Sequence, residues 1–296
     1  MRLGVVVSFL DEERYLPTLL RSIAAQTRPP DRLLLVDDGS RDRSFAIAEA
    51  FAAEHDYAVA LRRPPRPPES DRLATAAELR SFQWGLEQLG AGYDVIAKLD
   101  ADLDLAREHF ATIEREFAAD PALGVAGAYL SAPTAAGTVE REHNPPHHVR
   151  GPNKFYRAAC LAQINPVPAI LGWDAIDEIR ARRAGWDSRS VELPDGDTLH
   201  LRPTGAYDGV LRAYRRWGRC AWGYGADPLQ VLVGGALRLR RRPYGLCGVN
   251  YVAGWAIAAA RRLPRVEPET RTFYRAEQRA RVLRRPAPAP RPVEAA

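Results

Sequence analysis

The stretch LGVVVSFLDEERYL, residues 3–16, indicates which fold the chain adopts. It begins with a short, valine-rich apolar run, which is typical of a strand buried on both faces of a parallel sheet. Asp11 and Glu12 follow that run, and apolar residues then recur at helical spacing from Leu16 to Ile23. The stretch therefore predicts a buried strand, an acidic turn and an amphipathic helix in direct succession.

The same alternation continues along the chain. Apolar runs that predict further strands are Leu33–Val36, Tyr57–Leu61, Val95–Leu99 and Val125–Leu130. Segments that predict helices are Phe45–Phe51, Ala74–Leu89, Arg107–Ala118 and Asp174–Gly185, whereas the proline-rich segment Arg62–Ser70 and residues 131–150 are predicted to be loops. This order predicts a doubly wound α/β sheet whose strands are mainly parallel.

Three of the predicted strands end in acidic clusters, namely Asp11-Glu12, Asp37-Asp38 and Asp100-Ala101-Asp102. Ligands bind outside the carboxyl ends of the strands in such a sheet, so these carboxylates are expected to gather along one edge. Carboxylates repel a bare phosphate, and a divalent cation between the two groups removes that conflict. Asp100 and Asp102 are therefore predicted to share Mg²⁺ or Mn²⁺, although two aspartates at this spacing also occur by chance.

The stretch LVDDGS, residues 35–40, has two interpretations. A carboxylate of Asp37 or Asp38 at a strand end suits the ring N–H of uracil or guanine, or a ribose hydroxyl. The same residues also suit a glycine turn followed by the N-cap of a helix. Both interpretations remain open from these residues alone.

Three motifs in order, VVVSFLDEERYL (5–16), VDDGS (36–40) and LDAD (99–102), resemble the family-2 glycosyltransferases of GT-A fold. The resemblance covers residues 1–130 well and extends more loosely to about residue 205. It implies a mixed, mainly parallel sheet flanked by helices. It also implies an inverting enzyme with a nucleotide-diphospho-sugar donor, for which UDP- and GDP-sugars are the expected classes.

The family's acidic residues after the first strand and in the second motif hold the nucleoside, and those of the third motif hold the metal and the diphosphate. The donor-binding residues implied here are Phe9, Asp11, Glu12, Asp37, Asp38, Gln83, Asp100, Ala101 and Arg150. The family more often has Asn before Glu12, and an Asn-x-Gly where this chain has Gln83-Trp84-Gly85. Polar atoms remain at both places, so the same roles are expected with an altered donor preference.

Gly172-Trp173-Asp174 resembles the family's Glu-Asp motif at a helix start, which implies that Asp174 is the catalytic base. An inverting transfer is a single displacement and needs a carboxylate within hydrogen-bond reach of the attacking hydroxyl. Asp177 lies about one turn further along and is the second candidate. Alternatively, Asp174 only caps its helix.

Two residues downstream of the third motif have open roles. Arg150, before a glycine, is predicted to contact diphosphate oxygens or to lie in a surface loop. His200 matches the place where a C-terminal histidine of GT-A enzymes completes the metal shell, so the metal ligands implied are Asp100, Asp102 and His200. A lone histidine in an apolar strand is also commonly structural.

The net charge of +5 is unevenly distributed. From Arg238 onward, fourteen arginines against four glutamates give +10, which leaves −5 for residues 1–237. Three parts are predicted: a GT-A domain over 1–205 (nucleotide-sugar binding at 1–130, acceptor side and base at 131–205), a helical, basic appendage over 206–285, and a disordered tail over 286–296. The protein is expected to be cytoplasmic, because Met1 leads directly into a strand and no long apolar segment occurs.

The basic appendage predicts contact with the inner face of a membrane. Arg238–Arg242 and Arg261-Arg262 bracket the apolar stretch Val249–Ala260, in which Tyr251 and Trp255 are of the types that favour the headgroup zone. A lipid-linked acceptor in polysaccharide or glycolipid synthesis would suit this location. In the competing interpretation both aromatic residues pack onto the catalytic domain and the arginines are solvated.

Other classes fit the sequence less well. No Gly-x-Gly-x-x-Gly turn follows the first strand, which excludes a Rossmann dehydrogenase, and no P-loop occurs. A nucleotidyltransferase shares the sheet and acidic ligands but usually begins with a glycine-rich basic loop, which this chain lacks. A noncatalytic nucleic-acid binder explains the arginines and leaves the acidic strand ends unexplained.

Overall fold

The computed structural model describes residues 1–67, 69, 71–134, 137–142, 144–202 and 209–283, which divide into two compact units. Unit 1 contains the described residues of Met1–Arg72, Ala77–Asn165 and Trp186–Pro203. Unit 2 contains those of Leu73–Ala76, Pro166–Gly185 and Thr204–Ala296. Each unit has its own hydrophobic core.

Unit 1 carries the strands and the first helices. Its strands are β1 (Leu3–Phe9), β2 (Arg32–Asp37), β3 (Ala58–Arg62), β4 (Val95–Asp100), β5 (Leu103–Asp104), β6 (Leu123–Ala128), β7 (Leu130–Pro133), β8 (Val139–Arg141), β9 (Asn153–Arg157), β10 (Asp187–Val191) and β11 (Thr198–His200). Its helices are α1 (Leu16–Ala24), α2 (Ser44–Glu54), α3 (Ala77–Leu89), α4 (His109–Ala119) and α5 (Ala158–Ile164).

The main sheet has the strand order β10-β6-β9-β4-β1-β2-β3. Strands β4, β1, β2 and β3 run parallel to one another, and β10 pairs parallel with β6. Strand β9 lies between β4 and β6 and runs antiparallel to both. A smaller sheet has the order β5-β11-β7-β8. The predicted mixed, mainly parallel α/β sheet is therefore confirmed.

Strand β1 lies inside the sheet, between β4 and β2, and nearly all its side chains are apolar and buried, as an interior strand requires. Helix α1 presents Leu16, Leu19, Leu20 and Ile23 to the same core, and these residues recur at the spacing of one helical face. Each Å² of apolar surface that is buried contributes about 25 cal/mol of favourable free energy, so this contact stabilises the fold. The valine-rich strand and its helix therefore start the sheet as the sequence predicts.

Several segments differ from the sequence-based prediction. Residues 131–150, predicted to be a loop, contain β7 and β8, and strands β9, β10 and β11 were not predicted. Strand β9 reads NKFYR, and its polar Asn153 and Lys154 are completely buried, so it has no apolar run to reveal it. Helix α3 begins at Ala77 rather than Ala74.

All the regular secondary structure among the described residues of unit 2 is helical. Its helices are α6 (Trp173–Arg183), α7 (Gly209–Gly223), α8 (Pro228–Arg238), α9 (Leu246–Ala260) and α10 (Pro268–Val282). The segment that carries Asp174 belongs to unit 2, although the sequence assigned it to the domain ending near residue 205. That predicted boundary and the predicted tail over 286–296 lie outside the described residues.

A buried histidine joins β9 to the rest of unit 1. His109 is fully buried, its Nδ1 lies 2.6 Å from Thr198 Oγ1, and its Nε2 lies 3.0 Å from Asn153 Oδ1. Burial lowers the pKa of His109 to about 4, against the smaller opposing effect of the Asn153 hydrogen bond. The imidazole is therefore neutral in the folded protein at pH 7.

This burial predicts a loss of stability in mild acid. In the unfolded chain His109 binds a proton near pH 6.5, and in the folded chain only near pH 4, so the free energy of unfolding should fall as the pH drops between these values. His109 is expected to lower the free energy of unfolding by roughly 2–3 kcal/mol over this pH range. Urea unfolding at pH 7 and pH 4.5 measures it. His109→Gln should show a smaller difference between the two pH values; an equal difference would rule His109 out.

Candidate active site

The carboxyl ends of three adjacent parallel strands form one edge of the main sheet. In the register of β1 with β2, Phe9 lies opposite Asp37, and in the register of β1 with β4, Ser8 lies opposite Asp100. The backbone N–H of Asp38 donates to the carbonyl of Phe9 at 2.9 Å, which fixes the second acidic cluster beside the first strand. The acidic clusters therefore follow neighbouring strand ends, as predicted.

The VDDGS turn places its two carboxylates in different environments. The buried Asp37 accepts the backbone N–H of Ser40 at 2.8 Å and Arg62 Nε at 2.9 Å. Asp38 Oδ1 pairs with Arg63 at 2.6 Å, and Arg66 and Arg72 contact its other oxygen. The bond from Ser40 to one oxygen of Asp37 is the turn contact that the second interpretation predicts. Neither aspartate caps α2, because that helix begins after Arg43.

The loop after β1 is held against this turn. Asp11 has a left-handed backbone (φ 54°), which an aspartate tolerates better than most residues. Its Oδ1 accepts the backbone N–H of Arg41 at 2.7 Å, and its own N–H donates to Ser40 Oγ at 3.0 Å. The backbone N–H of Glu12 donates to Ser44 Oγ at 2.7 Å. These bonds fix the direction in which the Glu12 side chain leaves the loop.

Arg202 joins the first acidic cluster to the third. Its guanidinium donates to Asp102 Oδ2 from Nε at 2.9 Å and to Glu12 Oε1 at 2.6 Å. On the same Asp102 oxygen, His200 Nε2 lies at 3.6 Å, and His200 Nδ1 lies 3.4 Å from Glu142 Oε1. Glu12, Asp102, Glu142, His200 and Arg202 are together called the carboxylate cluster below.

Asp100 is held separately from this cluster. The side chain of Lys98 is buried inside β4, and its ammonium contacts the carboxylates of Asp100 and Glu78 and donates to the carbonyl of Gly151 at 2.8 Å. Two carboxylates and a carbonyl offset the cost of burying this charge. The lysine therefore sets the position of the first aspartate of the third motif.

The pKa values in the carboxylate cluster follow from burial and close charges. Burial opposes protonation of His200, yet the nearby carboxylates of Asp102 and Glu142 prevail and raise its pKa to about 9. Burial also opposes ionisation of Asp102, but His200 and Arg202 outweigh that effect and lower its pKa. For Glu12 burial prevails over Arg202 and, with nearby Asp102 and Asp100, raises the pKa.

These donors suit a divalent cation in their chemistry. Carboxylate oxygens and an imidazole nitrogen are ligands that Mg²⁺ and Mn²⁺ accept. The buried Glu12 Oε2 has no hydrogen-bond partner within the described part of the chain, and an unpaired carboxylate oxygen is costly unless a cation or donor reaches it. Among the described residues, no three acidic, histidine or cysteine side chains lie close enough together to hold a metal ion as they stand. In this arrangement Arg202 stands against Asp102 where a cation would bind.

The structure brings together some of the predicted residues and not others. Asp102 and His200 meet, with Glu12 linked to them, whereas Asp100 pairs with Lys98. Arg150 pairs with Glu142 at 2.7 Å. Ala101 is buried, and Gln83 lies half-buried in α3.

The two candidate bases lie in α6 of unit 2. Asp174 is in the first turn and is half-buried. Asp177 is fully buried and accepts the backbone N–H of Glu178 at 2.6 Å. Asp174 is therefore the more accessible of the two carboxylates.

Sequence reasoning missed Lys98, Glu142 and Arg202. Lys98 gave a usable signal, because a charge inside the apolar run VIAKLD needs a buried partner. Arg202 stands two residues after His200, so both side chains project from one side of an extended segment. Glu142, in a segment without periodicity, gave no signal.

Comparison with known proteins supports the fold and the resemblance to a glycosyltransferase family. A model of the family described as Glycosyl transferase family 2 matches residues 4–74. Polyprenol monophosphomannose synthase of Mycolicibacterium smegmatis is 29% identical over 127 residues, which are 43% of this chain and 44% of the relative. The chain thus matches less than half the length of that curated relative.

Two solved structures each align with at least 95% of this chain. The mannosyltransferase PcManGT from Pyrobaculum calidifontis in complex with GDP-Man and Mn²⁺ has a TM-score of 0.56 at 17% identity, over 95% of this chain and 80% of that one. GalNAc-T7 with UDP, GalNAc and Mn²⁺ has a TM-score of 0.58 at 12% identity, over 98% of this chain and 59% of that one. At such identities the likeness concerns the fold. Together these findings confirm the resemblance to family-2 glycosyltransferases and the GT-A fold class.

The cluster predicts where a cation binds. In the presence of GDP, Asp102→Asn should weaken Mn²⁺ binding at least about ten-fold, because it removes a buried negative charge from the ligand set. The electron paramagnetic resonance signal of free Mn²⁺ measures this without any turnover. Asp104→Asn, which removes a carboxylate at the same spacing in β5, is the matched control. Equal Mn²⁺ affinity in both variants would refute the assignment of Asp102.

Proposed function

We propose that this chain is a divalent-metal-dependent, inverting glycosyltransferase that moves a sugar from a nucleotide-diphospho-sugar to an acceptor oxygen. The observation that carries the proposal is the meeting of Glu12, Asp102 and His200 at the carboxyl edge of a GT-A sheet. The family match over residues 4–74 supports the donor half of this proposal. The comparisons favour it over a nucleotidyltransferase and over a nucleic-acid binder.

Each strand end has a distinct task in the proposal. Asp37 and Asp11, held by backbone bonds, present polar atoms to the nucleoside. Asp102 and His200, with Asp100 beside them, would hold Mn²⁺ or Mg²⁺, which neutralises the diphosphate and stabilises the leaving charge when bound. Arg202 would release Asp102. It would then keep only its bond to Glu12, or donate to a phosphate oxygen. Arg150 would stay paired with Glu142 or turn to the diphosphate.

Asp174 is proposed as the base that takes the acceptor proton while the acceptor oxygen attacks the anomeric carbon. Its place in the Gly-Trp-Asp motif and its accessibility support this choice over the buried Asp177. A base at this step contributes roughly 10²–10⁴ in rate.

The donor and acceptor are proposed as classes. The neighbours with GDP-Man and with UDP support a GDP- or UDP-sugar, and the relative named polyprenol monophosphomannose synthase supports a lipid-linked phosphate acceptor in cell-envelope polysaccharide or glycolipid synthesis. A cytoplasmic protein at the inner membrane face would meet both substrates.

Release of nucleoside diphosphate tests the proposal most directly. With a panel of UDP- and GDP-sugars and Mn²⁺, one donor should yield free diphosphate, faster with polyprenyl phosphate present, and EDTA should abolish the release. Asp174→Asn should lower turnover roughly 10²–10⁴-fold with donor affinity nearly unchanged, because the base contacts the acceptor.

Two results would contradict these assignments. No release from any donor would refute the transferase. Loss of donor binding in Asp174→Asn, with turnover retained at saturating donor, would make Asp174 a donor ligand and Asp177 the better candidate base.

A further inference from the structure

Helix α8 exposes a row of large apolar side chains. Leu229, Leu232, Val233 and Leu237 are 67%, 57%, 53% and 63% exposed, and they recur at the spacing of one helical face. These four residues are called the α8 face. Tyr244, Leu246 and Val249, which follow it before and within α9, are also exposed. Apolar surface of this extent in one short segment marks a contact site more often than chance exposure.

The packing of α8 leaves this face uncovered. The helix contacts α9 through a narrow strip that contains Val231 and Gly235. A Cβ atom on Gly235 would lie 2.5 Å from Val252, and one on Gly248 would lie 2.3 Å from the carbonyl of Gly235. The two backbones therefore approach so closely that the small residues form the contact, and the leucines point away from it.

The chain around the α8 face carries only positive charge. Residues 228–266 contain seven arginines and no aspartate, glutamate, lysine or histidine, which gives +7. Arg240, Arg241 and Arg242 follow α8 directly and are exposed. Within the described part of the chain none of the three forms an ion pair with a carboxylate, so their charge is available to an outside partner.

Of the two interpretations of Tyr251 and Trp255, the one that placed them in the headgroup zone does not match their positions. Tyr251 is buried in the core of unit 2 with Ala221 and Val231, and Trp255 packs against the same cluster. Trp255 also meets the ring of Trp222 edge-on, with 5.8 Å between centroids. The row of exposed leucine and valine side chains is therefore on α8, one helix earlier than the stretch that the sequence indicated.

We propose that the α8 face and Arg240–Arg242 dock on an anionic lipid bilayer, with α8 lying in the plane of the interface. Exposed leucines enter the boundary between headgroups and acyl chains, and adjacent arginines contact lipid phosphates. The exposed apolar face and the adjacent arginines both lie within 14 consecutive residues, from Leu229 to Arg242. This surface is distinct from the donor site, and its membrane contact does not depend on the proposed reaction.

The charge of the segment opposes a second copy of this chain as the occupant, and its length excludes a membrane-spanning arrangement. A second copy would place another all-positive segment against the first, which like-charge repulsion opposes. Helix α8 has 11 residues and is about 16 Å long, against about 30 Å of hydrocarbon. Across the described residues no helix has the length and apolar character needed to traverse a bilayer. An in-plane arrangement remains.

Vesicle co-sedimentation of the full chain tests the proposal. The protein should sediment with vesicles of phosphatidylcholine and phosphatidylglycerol, sediment less at high salt, and stay in solution with phosphatidylcholine alone. Arg240→Gln, Arg241→Gln and Arg242→Gln combined should weaken binding roughly 100-fold, at about five-fold for each arginine. Leu232→Glu with Leu237→Glu should also abolish sedimentation.

Matched controls separate this face from general charge and apolarity. Arg21→Gln, Arg107→Gln and Arg115→Gln combined remove the same charge from exposed positions of unit 1, and Val139→Glu alters an exposed apolar residue there. Both controls should bind as the unaltered protein does. Circular dichroism melting checks that every variant is folded.

Three outcomes would overturn the proposal. These are absence of sedimentation with anionic vesicles at low salt, unchanged binding of the folded arginine triple variant, and a concentration-dependent dimer that the leucine variant abolishes. The last would assign the α8 face to a second copy. Diphosphate release from the donor in vesicle-free solution is measured separately, so loss of membrane binding and failure of the transferase are distinguishable.

Discussion

Carboxylates concentrated at the ends of neighbouring parallel strands need positive charge to balance them, and the arrangement of unit 1 satisfies that need. Arg202 bonds to both Glu12 and Asp102, and His200 stands on the same Asp102 oxygen. The ammonium of Lys98 balances the carboxylate of Asp100, and the guanidinium of Arg62 balances that of Asp37. An acidic edge balanced by cationic side chains can exchange one of them for a metal ion or a ligand without a large change in net charge.

The sequence predicted the part of this arrangement that rests on local patterns. Strands buried on both faces need continuous apolar runs, so β1, β2 and β4 were visible together with the acidic residues that follow them. The neighbours of Asp102 were not visible, because Arg202 is 100 residues away in the chain and meets it only through the folded sheet. Strand β9 was not predicted for a related reason. Its buried Asn153 side chain forms hydrogen bonds with the carbonyl of Ala128 and with His109, which are distant in the sequence.

Unit 2 shows the limit of composition as a guide. The sequence left two interpretations of the apolar stretch in α9, a membrane surface or packing of its aromatic residues. Tyr251 lies in the helical core, where Gly218 and Gly254 let α7 and α9 approach backbone to backbone. A Cβ on Gly218 would lie 1.9 Å from the carbonyl of Tyr251. Such packing depends on which helices are neighbours in the fold. The periodicity of a single helix does not predict its neighbour. The leucines of α8 were left outside as a result.

The central claim is that the carboxylate cluster holds the cation that binds the donor diphosphate. Anomalous diffraction at the manganese edge, from crystals grown with Mn²⁺ and GDP, tests it most directly. The expected result is one strong peak in contact with Asp102 and His200, with Arg202 withdrawn from the Asp102 oxygen it now contacts. A well-occupied peak on the GDP phosphates that touches neither Asp102 nor His200 would contradict the claim.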